Sequence, residues 1–159
     1  MTKFLDRFED VVRRAAQFTE APIMPLGGLH PFEERNVHPR LPIIVKQLFD
    51  DGHYAQATFE AYKFVDKEVQ RFSGITESGY KLMMQVFAAE SPAIKLTDLS
   101  SETKKNEQKG FQFLFAGSVL AIRNPRGHEY AVADSPDQCL DHLSLASLLL
   151  RRLEEAGVK

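Results

Sequence analysis

Between His53 and Phe72 the apolar residues Ala57, Ala61, Phe64, Val65 and Val69 recur at three- and four-residue steps. A helix turns once per 3.6 residues, so this spacing lays one apolar stripe along one face. Gln56, Glu60, Lys63, Asp66, Lys67 and Gln70 fill the polar remainder. A strand would alternate in twos, and a stretch this long with the helical period does not fit a sheet. The same period returns in Phe4, Phe8, Val11, Val12, Ala15 and Phe18, in Leu82, Met83, Val86 and Phe87, and in Phe111, Leu114, Phe115, Ser118, Val119 and Ile122. Two-residue alternation is nearly absent. The chain therefore reads as an all-α bundle of about five or six helices.

Punctuation sets the expected boundaries. Leu41 to Asp51 ends at Gly52, which suits a C-cap. Ser73-Gly74 ends the long helix, and Ser91-Pro92 ends one running from Glu77 to Glu90. Residues 92–101 read as a loop. Thr103 can cap a helix that runs to about Arg123, where Asn124-Pro125 stops it and residues 124–134 form a loop. Ser135-Pro136-Asp137 opens a last helix, which runs to Glu155 before Gly157. The prolines and glycines of residues 22–39 make an irregular connector. Residues 1–37 thus hold one helix and this connector, and residues 38–159 hold the helical domain.

Composition limits the function classes. A net charge of −2 gives no surface-wide attraction for polyanions, so any nucleic-acid contact must be local. Cys139 is the single cysteine and cannot form an internal disulfide, which points to a cytoplasmic, reducing home. No apolar run approaches the roughly 20 residues of a membrane span, and the N-terminus is too charged for a signal peptide. His30, His38, His53 and His142, with Cys139, lack metal-ligand spacing, so no metal and no cofactor is expected. Gly27-Gly28 follows no strand and precedes no Gly-Lys-Ser, so it is no phosphate loop. Cys139 and His142 share a helix face, but no orienting acid stands out beyond Asp141.

The chemistry-bearing stretch is Arg123-Asn124-Pro125-Arg126-Gly127-His128. An arginine stays charged and fits phosphate oxygens with a planar fork; an imidazole titrates near neutrality. Together they can hold a phosphate and move a proton, as metal-free RNA cleavage needs. The bland alternative is a capped helix end, because cations satisfy the last carbonyls and the dipole.

Further segments accompany it: His38-Pro39, Leu48-Phe49-Asp50-Asp51-Gly52-His53-Tyr54, Gly79-Tyr80-Lys81-Leu82-Met83, Glu107 with Gly110, and Gly117. Together with Ile122-Arg123-Asn124-Pro125 and His128, they resemble the Ymh family of small bacterial and phage-associated proteins. Through it the chain resembles the HEPN superfamily of helical ribonuclease and nucleotide-binding domains over about residues 38–155. The superfamily signature is an arginine, four to six residues, then a histidine; here four residues separate Arg123 from His128. The resemblance implies a metal-independent RNA endonuclease in phage defence or a toxin–antitoxin system, working as a homodimer whose two motifs line one cleft. His128 is implied as general acid or base and Arg123 as the group that stabilises phosphate charge. Asn124 is implied to orient the histidine or donate to phosphate. Arg126, Glu60 and Lys63 are the expected substrate-binding side chains, and an antitoxin or larger defence protein is an expected partner. The competing expectations are a HEPN module that binds RNA, nucleotide or a protein without cutting, and a purely structural dimerisation domain.

Overall fold

A computed structural model describes residues 28–157; the expected helix over 4–18 lies outside them. No strand occurs among the described residues. The helices are α1 (Pro31–Glu34), α2 (Ile43–Asp50), α3 (Tyr54–Ser73), α4 (Gly79–Val86), α5 (Glu102–Ser118), α6 (Asn124–His128) and α7 (Pro136–Glu155). A π-helical turn, Val119–Arg123, joins α5 to α6.

The long helix α3 sits between two apolar clusters. Tyr62, Val65 and Val69 meet α4, α5 and α7 through Leu82, Met83, Phe115, Leu149, Leu150 and Leu153. Ala57 and Ala61 join Val45, Phe49, Cys139, Leu140 and Leu143 of α2 and α7. Alanine leaves little side chain between backbones, so α2 and α7 both approach α3 closely. Phe87 and Phe115 stack with ring centroids 4.3 Å apart, a geometry that adds to their area burial. Tyr62 is buried and donates its hydroxyl to the His142 carbonyl at 2.9 Å, so its polar tip is satisfied inside the core.

Buried polar side chains replace the hydrogen bonds that irregular segments lack. Gln108 is fully buried on α5; its amide donates to the carbonyls of Phe87 and Ile94 and accepts from Leu96 N–H. That one residue fastens the loop after α4. Asp66 was expected on the solvated face of α3, yet it is buried and accepts the Gly79 N–H at 2.6 Å. It caps α4 from across the bundle, and Gly79 takes the positive φ of 66° that the entry requires. Within the described part of the connector, Pro31–Glu34 is helical, and Phe32 and Val37 pack on the second cluster. His38 is buried, with its N–H on Ser147 Oγ and its ring on Glu154.

The end of α5 departs most from the sequence reading. The backbone stays helical through His128, and the loop starts only at Glu129. A proline removes one N–H and crowds the carbonyl one turn back. The wider π turn immediately before it makes room, with Asn124 N–H donating to Val119 O. Pro125 then falls in the first turn of α6, where no donor is needed. Ser101, two residues earlier than the expected Thr103, caps α5 through the Lys104 N–H. Ser135 and Gln138 form a reciprocal capping box at α7.

Candidate functional site

The six-residue motif is a short helix with three distinct faces. Ile122 and Arg126 turn toward the body of the protein. Arg126 Nε donates to Asp134 Oδ2 at 2.7 Å, its Nη2 closes on Asp134 Oδ1, and its Nη1 donates to the Ile122 carbonyl at 2.7 Å. Its side chain is 8% exposed and that of Asp134 is 4% exposed. Thr58 Oγ1 donates to Asp134 at 3.1 Å, and His142 Nδ1 lies 3.3 Å from Arg126 Nη2. Burial by itself raises the Asp134 carboxyl; the Arg126 fork, the Thr58 hydroxyl and His142 outweigh it and hold the group below the usual carboxylate range. Burial first, then the Arg126 charge, hold His142 below the usual imidazole range. Arg126 was expected to bind substrate. In the structure its guanidinium is engaged with Asp134 and Ile122 O, which ties α6 to the 129–135 loop.

Arg123 and Gly127 share the second face and meet Phe59 of α3. A Cβ on Gly127 would come within 2.8 Å of Phe59 Cε2, so the ring lies almost on the α6 backbone. The Arg123 guanidinium stands 5.6 Å from the Phe59 centroid, and Lys63 Nζ stands 6.0 Å from it, within reach of a cation–π attraction. Arg123 forms no ion pair among the described residues. Its Nη1 donates to Asn124 Oδ1 at 3.2 Å, and its Nε is buried without a partner among the described residues.

Asn124 and His128 make the third face. One α-helical turn separates them, which places their Cβ atoms roughly 6 Å apart. His128 is exposed at the last position of α6. Thus Arg123 reaches Asn124 and Asn124 neighbours His128, although Arg123 and His128 themselves leave the helix about 140° apart. Lys63 lies one turn along α3 from Phe59, Glu60 directly follows Phe59, and the two charged side chains pair at 3.1 Å. Such a half-exposed pair contributes at most about 0.5 kcal/mol and opens readily.

Thr58, Phe59 and Asp134 are members that the sequence reading did not single out. The usable signal was Gly127: a glycine in a helix suggests that something approaches its backbone closely. Cys139 sits in the second core cluster, where burial pushes its thiol up to about 11; it stays protonated and is no nucleophile at neutral pH. Among the described residues no set of three or more His, Cys, Asp and Glu side chains is placed to hold a metal ion, and no helix is long and apolar enough to cross a membrane.

Residues 35–153 match the model of a family described as a protein of unknown function (Hypoth_ymh). No curated protein and no solved structure matches the chain.

Proposed function

We propose that this chain, which belongs to the Ymh family, is a metal-independent RNA endonuclease of the HEPN type that works as a homodimer. The observation that carries the reading is the contrast between two arginines three residues apart. Arg126 is neutralised by a buried carboxylate, whereas Arg123 has no counter-charge among the described residues and sits beside Asn124. An arginine held against an aromatic ring with unengaged donors is suited to phosphate oxygens. The π turn that delivers it is a feature found often at functional sites.

In this scheme the RNA 2′-hydroxyl attacks the adjacent phosphorus and loses its proton to His128. Arg123 stabilises the charge growing on the non-bridging oxygens. The bond to the 5′-oxygen breaks, and that oxygen takes a proton from the histidine of the second copy. The products are a 2′,3′-cyclic phosphate and a 5′-hydroxyl. The angular separation of Arg123 and His128 supports a cleft shared by two protomers. Asn124 supports the arginine, and Lys63, beside the same Phe59 ring, adds a second cation for the RNA backbone. The setting, phage defence or a toxin–antitoxin system under an antitoxin or larger defence protein, rests on the HEPN resemblance alone.

The test is incubation of purified protein with single-stranded RNA and DNA in EDTA. RNA should be cut to 2′,3′-cyclic phosphate ends and DNA should survive, since it lacks the nucleophile. Cleavage that disappears in EDTA and returns with magnesium would overturn the mechanism.

A further inference from the structure

A recess of about 160 Å³ opens beside the end of α6, lined by Gln56, Phe59, Arg126, Glu129, Ala131 and Val132. It is smaller than the roughly 300–1,000 Å³ of sites for drug-sized ligands. Its volume suits one flat ring system. Phe59 supplies an aromatic wall, and Ala131 and Val132 supply aliphatic ones. Ala131 holds a positive φ of 55°, an unusual conformation for alanine that shapes the rim.

The polar groups of the recess select the chemistry. Arg126 contributes no free charge, because Asp134 already neutralises it. Glu129 is exposed at the rim and adds a negative charge, so phosphate is repelled. The Gln56 amide and the Glu129 carboxylate carry no hydrogen bond among the described residues, and both are exposed. Aromatic stacking with amide and carboxylate acceptors at the edge is how single-stranded bases are held and read. Glu129 also directly follows His128, so a base seated here belongs to a nucleotide next to the scissile phosphate.

We infer that this recess is a base-binding subsite, in which one nucleobase of a single-stranded RNA stacks on Phe59 and offers its amino-bearing edge to Gln56 and Glu129. This rests on the RNA reading above and adds a preference to it. Adenine, cytosine and guanine present an exocyclic amino donor to these acceptors; uracil offers only its ring N3–H between two carbonyls, which Glu129 disfavours.

The experiment measures binding and cutting separately. Binding uses wild-type protein and fluorescent 2′-O-methyl oligonucleotides of adenylate, cytidylate or uridylate, which lack the attacking hydroxyl. Cutting uses the unmodified oligonucleotides. Adenylate and cytidylate should bind roughly 5- to 150-fold more tightly than uridylate, the range of one good base contact. The double variant Gln56→Ala with Glu129→Ala should bring all three to the uridylate affinity. Phe59→Leu should weaken all three, because stacking is lost whatever the base. Cutting with equal affinity for the three oligonucleotides, or with discrimination that survives the double variant, overturns the subsite and leaves the nuclease. Discrimination that the double variant abolishes, without any cutting, supports the subsite and overturns the nuclease. No binding of any oligonucleotide overturns both.

Discussion

Arg126 and Asp134 form a two-pronged, largely buried ion pair that joins the end of α6 to the loop before α7. Taking two charges out of water is expensive, and the pair persists because each remaining polar atom has a partner: Ile122 O for Arg126, Thr58 for Asp134. Removing one member leaves the other as a buried, uncompensated charge. Asp134→Ala should therefore lower stability by about 3–5 kcal/mol. Denaturant unfolding monitored by circular dichroism checks this; a loss below about 1 kcal/mol would show that the pair is not buried.

The same network gives the fold an acid limit with two stages. His142 lies below its ordinary range in the folded protein, so the unfolded chain binds that proton more readily. Its contribution is complete above roughly pH 6.5 and fades as pH falls below that value. Asp134 is also lowered, and its contribution is complete above roughly pH 4 and fades as pH falls through the folded value. Melting temperature plotted against pH should thus fall in two steps on acidification. His142→Gln should flatten the first step and leave the second.

Gly127 and Phe59 set opposing effects against each other. Alanine in place of glycine within a helix gains about 1 kcal/mol. A Cβ within 2.8 Å of the Phe59 ring must displace the ring, and overpacking costs about 1–3 kcal/mol. Phe59 is only half-buried, so the ring can yield. Gly127→Ala should shift the melting temperature by only a few degrees, yet it should move the surface on which Arg123 rests. RNA cleavage should then fall at least several-fold. Cleavage at the wild-type rate would show that Phe59 does not position Arg123.

The helices were legible because burial follows period. The stripe of α3 and the Ser135-Pro136-Asp137 start of α7 were plain in the residues, and the structure places both as read. Asp66 and Gln108 were not legible. Each is polar on a local count, and each is buried because a loop elsewhere in the chain lacks hydrogen-bond partners. Arg123 and Arg126 also looked alike in sequence. They differ through Asp134, which follows eight residues after Arg126 and which helical spacing does not relate to it. Asn124-Pro125 read as a stop because the sequence carries no visible mark of a π turn.

The proposed homodimer carries a prediction of its own. Phe113, Leu114 and Leu120 are large, apolar and about half exposed, and Gly117 is exposed on the same helical stretch before Asn124. A second copy docked on this face would bring two motifs together through an isologous contact. Light scattering at micromolar concentration should give about twice the 18.0 kDa of one chain. Leu120→Lys should shift the mass toward one chain and remove RNA cleavage, while leaving the circular dichroism spectrum unchanged. A strict monomer across that range would sink the composite cleft.

The sharpest comparison sets three motif residues side by side. His128 is exposed, so His128→Ala should cost the fold about 1 kcal/mol or less, the scale of a lost dipole contact at a helix end. Cleavage should fall roughly 10²- to 10⁴-fold with the loss of the proton-transfer group. Arg123→Ala should behave similarly, and Arg123→Lys should recover little, because an ammonium cannot reproduce a planar fork. Arg126→Ala should do the opposite: it strands Asp134 and lowers the melting temperature steeply. Activity lost at near-constant melting temperature for Arg123 and His128, against stability lost for Arg126, separates chemistry from scaffold within one short helix. If all three variants unfolded together, the motif would be a helix clasp, and the reading of Arg123 and His128 as catalytic residues would fail.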